Sequence, residues 1–374
     1  MSDLEPMEER GYEVRGNFLP PENAAQSEMI PDMREIGQYM QAEWVRGNTI
    51  GGRIPEPVSE NLVGLKRLFD EYGLVAYFAR LEDKHVITYG PRPRLAPPKR
   101  WVNLVLLLAT ILSTLLVGSL QMGHNPFRNP LELVFGVPFS LSIILILGSH
   151  ELAHYLTARR LGVDATLPYF LPVPHPMTGT MGAFIRMRSA VPSKGALVRV
   201  GVAGPLVGFL AALPVTIVGL SQSQVVSVGD ASRGIQLGTP LVFGLLSRLW
   251  FGELGPGKDI VLHPVAFAGW LGFFVTALNL LPAGQLDGGH IAYAVFGRFR
   301  ELANWAVIGL LVLAGYFWLG WPFWAVMISL FGLKHPPPLD DITPLSRTEK
   351  LLALAALGVL VLCFTPAPFG QARF

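Results

Sequence analysis

The pentapeptide HELAH at residues 150–154 has the residue types and the spacing to bind a metal ion and to move a proton. Four residues of a helix turn through about 400°, so the two histidines lie about 40° apart on one helix face. Two neutral imidazoles with one carboxylate form a tetrahedral ligand set that suits zinc and leaves a fourth position open for water. Glu151, between His150 and His154, can take a proton from that water. The motif therefore predicts metal-assisted hydrolysis.

A carboxylate that completes the ligand set lies in the later segment NLLPAGQLDGGH, residues 279–290. Asp287 is the only carboxylate between Asp259 and Glu301, and one proline and three glycines around it interrupt the helical pattern. We expect Asp287 to be the third ligand; the alternative role, an N-cap for the following helix, is compatible with it. His290 is a rival ligand, but we favour it as a residue that supports a ligand, because one carboxylate beside two histidines is a common hydrolase set.

The chain is much more apolar than a soluble protein. Of its 374 residues, 51% are hydrophobic and 15% are charged, against about 25% charged in soluble domains. Residues 101–122 contain no charge, and about 20 apolar helical residues span a bilayer core. The net charge of +2 leaves no basic excess and argues against a nucleic-acid partner. The single cysteine, Cys363, excludes an intrachain disulfide framework and a CxxC site.

Further uncharged stretches follow the first span and predict a polytopic α-helical membrane protein with six or seven transmembrane segments. These stretches are residues 133–149, 200–229, 260–286, 302–333 and 351 onward. The range in the count comes from residues 302–333, which form either one long segment or a tight helical hairpin divided at Gly320, Trp321 and Pro322. Because ionisable residues inside a membrane are costly, His150, Glu151 and His154 at the end of the second segment read as a functional cluster.

Residues 1–90 are predicted to be a small soluble α/β domain, because 29 of the 56 charged residues lie in the first hundred. The apolar residues of Met33–Trp44 and of Leu62–Phe69 have helical spacing, which predicts two helices, the second of which ends at Gly73. Strands are predicted at Leu74–Leu81 and His85–Tyr89, joined by a polar turn. The first residues lack the apolar core of a cleaved signal peptide, so none is expected.

A Pro-rich basic linker, residues 91–100, joins this domain to a membrane-embedded core at residues 101–374. Arg92, Arg94, Lys99 and Arg100 precede the first span, and basic loops are retained in the cytoplasm. The N-terminus is therefore expected to be cytoplasmic. Counting spans alternately, the HELAH motif then lies at the cytoplasmic end of the second segment.

The motifs together resemble the site-2 protease family of intramembrane zinc metalloproteases, peptidase family M50. HELAH in an apolar helix, followed by NLLPAGQLDGGH, carries the resemblance, and three further blocks extend it: GTMGAFI at 179–185, GVAGPLVG at 201–208 and HPPPLDD at 335–341. They are similar to the branch of bacteria, cyanobacteria and plastids that has a soluble domain before its membrane core. Many members have an asparagine where this chain has Val207 and Gly208, so no polar role is assigned there.

The resemblance implies that one Zn²⁺ ion is bound by His150, His154 and Asp287, with Glu151 as the base. It implies cleavage of single-span or other transmembrane protein substrates near the cytoplasmic face of a lipid bilayer, here expected to be the plasma membrane of a bacterium. Two other functions remain open: a catalytically silent chaperone or adaptor of the same fold, and a metal transporter. The intact glutamate argues against the first, and the scarcity of acidic residues within the spans argues against the second.

The segment between the second and third spans is too polar to cross the bilayer and contains a strand-like stretch around Gly182. A protease must unwind a transmembrane helix to reach its peptide bonds, and a strand edge offers partners for the freed backbone groups. Gly182, Ala183 and Phe184 are therefore expected to bind substrate; the alternative is a plain loop hairpin. Asn279 is expected either to bind the substrate backbone or to tie down its own broken helix.

Overall fold

The computed structural model describes residues 30–93, 95–173, 175, 177–227, 235–331 and 335–370. Residues 1–29 and Arg94, which belong to the predicted soluble domain and linker, lie outside the described residues. The chain divides into two compact units. The first runs to Arg94 and also includes Leu339–Ile342; the second comprises Leu95–Pro338 and Thr343 onward.

The first unit is a four-stranded antiparallel sheet with a helix packed on it. Its elements are α1 (Met33–Ile36), β1 (Gln41–Arg46), β2 (Thr49–Arg53), α2 (Val58–Glu71), β3 (Leu74–Leu81) and β4 (Lys84–Pro91), with the strand order β1-β2-β4-β3. Leu62, Leu65 and Phe69 on one face of α2 are buried against Phe78 and Ile87 of the sheet. Burial of these apolar side chains is the main force that holds the unit together.

The predictions for this unit were partly right. The helix that ends before Gly73 and the β3-β4 hairpin are confirmed, and Gly73 has a φ of +69°, which favours glycine. The helix predicted over Met33–Trp44 is wrong, because only Met33–Ile36 is helical and β1 begins at Gln41. Trp44 packs on β2 where Gly51 leaves room: a Cβ on Gly51 would lie 2.1 Å from the indole.

Leu339–Ile342 extends the sheet of the first unit at its edge strand β3. The N–H of Phe78 donates to the Leu339 carbonyl at 2.7 Å, and the N–H of Asp341 donates to the Phe78 carbonyl at 2.9 Å. Asp340, whose side chain is 3% exposed, forms an ion pair of 2.6 Å with Lys66 on α2. The unit is thus built from two stretches of sequence that are about 250 residues apart.

The second unit is mainly helical. Its helices are α3 (Arg100–Gln121), α4 (Val137–Arg160, preceded by a 3-10 turn at Pro130–Gly136), α5 (Lys194–Ser221), α6 (Leu241–Phe251), α7 (Pro264–Asn279), α8 (Asp287–Phe296), α9 (Arg300–Ala314), α10 (Gly320–Phe331) and α11 (Arg347–Cys363). Two small antiparallel hairpins accompany them, β5 (Tyr169–Pro172) with β6 (Thr180–Phe184) and β7 (Gln224–Ser227) with β8 (Lys258–Val261).

Within the described ranges, three helical segments are long and apolar enough to cross a membrane: Arg100–Gln121, Pro130–Arg160 and Lys194–Ser221. The apolar helices α6, α7 and α10 are shorter. Of the two alternatives for residues 302–333, the structure has the divided one: α9 ends at Ala314 and α10 begins at Gly320, so the break lies just before Gly320, Trp321 and Pro322 rather than at them. Outward-facing leucines, such as Leu108 and Leu112 of α3, are more than half exposed, as suits helices that face lipid.

Helices α5 and α7 form the centre of the second unit. The α7 side chains Trp270 and Phe273 are fully buried, and α5 packs against α4, α7 and α8. Small residues allow this close packing: a Cβ on Gly219 of α5 would lie 2.0 Å from the backbone nitrogen of Ala266. The consequence is a tight interior in which α4, α5 and α8 meet.

Candidate metal centre

Three potential ligand atoms converge where α4 meets the start of α8. The Nε2 atoms of His150 and His154 are 3.1 Å apart. They lie 3.2 Å and 3.1 Å, respectively, from the same oxygen, Oδ2 of Asp287. Both histidines are 4% exposed, and the Asp287 side chain is 17% exposed. Among the described residues, these three form the group of His, Cys, Asp and Glu side chains that is able to hold a metal ion.

The spacing of this triangle fits zinc. Ligand atoms at about 2.0–2.1 Å from a tetrahedral zinc ion are separated from one another by about 3.3 Å. The observed separations of 3.1–3.2 Å are close to that value. The donor set of two imidazoles and one carboxylate is that of catalytic zinc sites, in which the fourth position stays open. The residues present therefore fit a zinc ion.

The orientation of His154 is fixed by a hydrogen bond behind the ring. Its Nδ1–H donates to the carbonyl of Val200 on α5 at 2.8 Å. A carbonyl oxygen only accepts, so the proton is on Nδ1 and the lone pair of Nε2 faces Asp287 and His150. This is the tautomer that a metal ligand requires.

Glu151 lies beside the triangle and also contacts the segment after β6. It is 6% exposed, and its carboxylate lies close enough to the backbone N–H of Ile185 to interact with it electrostatically. Ile185 follows directly after the last residue of β6. The end of β6 is thus held next to the carboxylate that the sequence assigns as the base.

Glycines of α5 make room for the two histidines. A Cβ on Gly204 would lie 2.0 Å from Nε2 of His154 and 2.7 Å from Cδ2 of His150, and a Cβ on Gly208 would lie 2.9 Å from Nδ1 of His150. On the same helix, a Cβ on Gly201 would lie 2.8 Å from the Asp287 carbonyl. The glycines on one face of α5 therefore leave room for all three candidate ligands.

Asp287 enters the site from the irregular backbone between α7 and α8. It is the first residue of α8, whose N-cap is Leu286, so the alternative role of Asp287 as an N-cap is wrong. Two glycines permit the tight return of the chain: a Cβ on Gly288 would lie 2.1 Å from the Leu280 carbonyl, and one on Gly289 would lie 2.3 Å from the Gly284 carbonyl.

Comparison with known proteins agrees with this geometry. Residues 138–319 match peptidase family M50. The chain contains a peptidase family M50 domain. It is similar to "Probable zinc metalloprotease EGY2, chloroplastic" of Arabidopsis thaliana, with 32% identity over 315 residues that cover 80% of this chain and 56% of the relative. "Probable zinc metalloprotease EGY1, chloroplastic" of the same plant is 30% identical over 295 residues, which cover 71% of this chain and 53% of the relative.

A third relative, "Probable zinc metalloprotease EGY3, chloroplastic" of Oryza sativa subsp. indica, is 32% identical over 304 residues, which cover 73% of this chain and 49% of the relative. The chain therefore spans about half the length of the curated relatives that it matches. No solved structure gave a match. The family expected from the motifs is confirmed, and the M50 domain includes all three candidate ligands, Glu151 and β6.

Asn279 and the strand β6 of the M50 domain lie near the metal centre. Nδ2 of Asn279, the last residue of α7, is 3.4 Å from Nε2 of His150. Ala183 pairs with Phe170 of β5, and Phe184 is 46% exposed. Gly182 has a φ of +104°, a conformation that glycine adopts without strain. Within the described residues, the edge of β6 away from β5 pairs with no strand.

His290 takes part in an interaction that sequence reasoning missed. It lies on α8, and its Nδ1 is hydrogen-bonded to Nε2 of His335 rather than to a ligand of the triangle. His335 is half-buried, and its Nδ1–H donates to the Pro336 carbonyl at 2.6 Å. The two histidines are 45 residues apart, so no local spacing could reveal the pair.

Proposed function

We propose that this protein is an intramembrane zinc metalloprotease that hydrolyses peptide bonds of membrane-spanning proteins. The observation that carries the proposal is the convergence of His150, His154 and Asp287 on one point, with Glu151 beside them, among apolar helices. The M50 domain and the relatives named as probable zinc metalloproteases support it.

The roles of the side chains follow from their positions. His150, His154 and Asp287 would hold one zinc ion per chain. When bound, zinc supplies Lewis acidity toward the scissile carbonyl and toward the attacking water. Glu151 accepts the proton of the water during attack and then returns it to the leaving amine. Burial of the site keeps bulk water away and strengthens the electrostatic interactions on which these steps depend.

The free edge of β6 supports a substrate-binding role for Gly182, Ala183 and Phe184. An unwound stretch of substrate adds to this edge as a strand, and its backbone then gains hydrogen bonds that replace those of its helix. Because Ile185 contacts Glu151, a substrate paired with β6 arrives beside the base. Asn279 is close enough to His150 for its amide to donate to the scissile carbonyl.

The finer topology is also part of the proposal. Helix α7, helix α11 and the pair α9 and α10, counted as one segment or two, would bring the number of membrane segments to six or seven, with the N-terminus in the cytoplasm and cleavage near the cytoplasmic face. The basic residues before α3 and at the end of α4 support this orientation. The plasma membrane of a bacterium is the proposed location. Residues 1–90 form the soluble domain, joined by the linker 91–100 to the core at 101–374, and recruit or select substrate.

The test is cleavage by the purified protein of a panel of single-span proteins, with products identified by mass spectrometry. We expect Glu151→Gln to retain zinc and to lose cleavage, because the amide keeps the shape of the side chain but cannot accept a proton. The matched control is Glu301→Gln, the same substitution at an exposed residue, the second of α9, and this variant should cleave normally. Undiminished cleavage by Glu151→Gln would contradict the proposed mechanism, and zinc binding without cleavage by the wild type would favour a silent adaptor.

A further inference from the structure

A cavity of about 370 Å³ lies between the beginning of α3 and the end of α4. Its lining includes Arg100, Asn103, Tyr155, Arg159 and Arg188. Arg100 is the first residue of α3 and Arg159 is the last but one of α4, so the cavity lies at the same end of two candidate membrane spans. It therefore lies where the headgroups of a bilayer meet the ends of the helices.

The cavity carries an excess of positive charge. Asp164 is the only acidic residue among the described residues that line it, and it faces three arginines. It forms ion pairs with Arg159 at 3.2 Å and with Arg188 at 3.3 Å. One carboxylate neutralises one of the three guanidinium groups, so two positive charges remain to be balanced. The planar fork of a guanidinium is well suited to a phosphate, which it binds through two hydrogen bonds.

A second, independent feature is a buried acceptor without a donor. Asn103 is 6% exposed, and its Nδ2 donates to the carbonyls of Leu167 at 2.8 Å and Pro168 at 3.0 Å. These bonds fix the amide, and its Oδ1 has no hydrogen-bond partner in the part of the chain that the structure describes. Buried polar atoms in folded proteins nearly always have a partner. A ligand that brings a hydroxyl or an amine would supply it.

The outer surface of α3 next to the cavity suits acyl chains. Trp101 is 65% exposed and Leu104 is 56% exposed, and both lie within one helical turn of Arg100 and Asn103. Tryptophan at the end of a span is typical of the membrane interface. A phospholipid would use both features, because its phosphate binds the charged side chains inside the cavity and its acyl chains contact the apolar side chains outside it. A free phosphate would use only the charged side chains.

We propose that this cavity binds the headgroup of an anionic phospholipid, with its phosphate on the arginines and a headgroup hydroxyl on Oδ1 of Asn103. The site also touches the base of the β5-β6 hairpin, because the N–H of Arg188 donates to the Asp164 carbonyl at 2.7 Å. A bound lipid thus joins α3, α4 and the hairpin. This inference does not depend on proteolysis, and its measurement is lipid binding.

The experiment is a titration of the purified full-length protein in detergent, read by native mass spectrometry. We expect one tightly bound phosphatidylglycerol per chain. Phosphatidylethanol has the same charge without a headgroup hydroxyl and should bind several-fold more weakly; phosphatidylcholine should not compete. Inorganic phosphate at the same concentration should displace none of the bound lipid. If inorganic phosphate displaced the lipid, the ligand of the cavity would be a soluble anion and the lipid proposal would be overturned. Equal binding of phosphatidylethanol would overturn the role of Asn103.

Variants separate a site from general charge attraction. The double variant Arg100→Gln, Arg159→Gln should weaken phosphatidylglycerol binding by at least tenfold. The matched double variant Lys99→Gln, Arg160→Gln removes the same charge from adjacent residues that do not line the cavity, and it should weaken binding far less. Unchanged zinc content in both variants reports an intact fold. Equal loss of lipid in the two variants would refute the proposal.

Discussion

Gly204→Ala tests whether the candidate metal ligands require a small residue at this position of α5. The added methyl group would lie 2.0 Å from Nε2 of His154 and 2.7 Å from Cδ2 of His150, whereas ordinary contacts begin at 3.4 Å. Relief of the clash with His154 therefore needs a displacement of about 1.4 Å. His154 has little freedom to move, because it is buried and its Nδ1–H donates a hydrogen bond to the carbonyl of Val200, which is on the same helix as Gly204.

The size of the effect follows from the tolerance of a zinc site. Ligand distances in such sites vary by about 0.2 Å, so a shift of more than 1 Å removes a ligand. The loss of a residue that merely supports a ligand costs about 10–100-fold in metal affinity. We expect Gly204→Ala to weaken zinc binding by at least about 100-fold, which corresponds to about 2.7 kcal/mol.

Zinc affinity of the purified variant is measured by competition with a chromophoric chelator. The matched control is Gly309→Ala on α9, where an added methyl group meets no atom within 4 Å, and it should bind zinc as the wild type does. Wild-type protein stripped of metal provides the reference for the circular dichroism of a folded but empty chain. Wild-type zinc affinity in Gly204→Ala would refute the argument that this glycine is required by the ligands.

Three further outcomes follow from the same structure. Asp287→Asn should lower zinc affinity because a neutral amide oxygen is a weaker ligand than a carboxylate, and full occupancy in the chelator competition would count against its role. Asn279→Leu should keep zinc and lower kcat by about 100-fold, the typical effect of removing one donor to a developing oxyanion; an unchanged kcat would exclude that role. Lys66→Met leaves the buried Asp340 without its ion pair and should destabilise the first unit by about 1–3 kcal/mol in denaturant unfolding. Arg67→Met, which breaks an exposed pair, should cost less than about 1 kcal/mol, and equal effects of the two changes would contradict this reasoning.

The convergence of His150, His154 and Asp287 could be predicted from the sequence because each part of the candidate metal centre has a local signal. Helix periodicity places His150 and His154 on one face, and the lack of other carboxylates near Asp287 singles it out as the third ligand. The four-residue spacing of Gly204 and Gly208 in the sequence is typical of close helix packing. It could not indicate that the atoms facing these glycines are those of the ligands, because this depends on how α4 and α5 pack.

The errors occurred where tertiary contacts override local pattern. Met33, Ile36 and Met40 have helical spacing, yet the chain turns after Ile36 and forms β1, where Trp44 covers Gly51 and the strand pairs with β2. The pairing of His290 with His335 also joins segments that are remote in sequence.

The late position of Leu339–Ile342 in the sequence has a consequence for biosynthesis. The sheet edge at Phe78 and the ammonium group of Lys66 receive their partners from residues that are made about 250 positions later. At about 5–20 residues per second, a ribosome needs about 12–50 s to cover that distance. During this time the M50 domain is synthesised. The first unit leaves the ribosome before the M50 domain but is completed only after it, so a nascent chain released before Leu339 carries a sheet that lacks its last partner at β3.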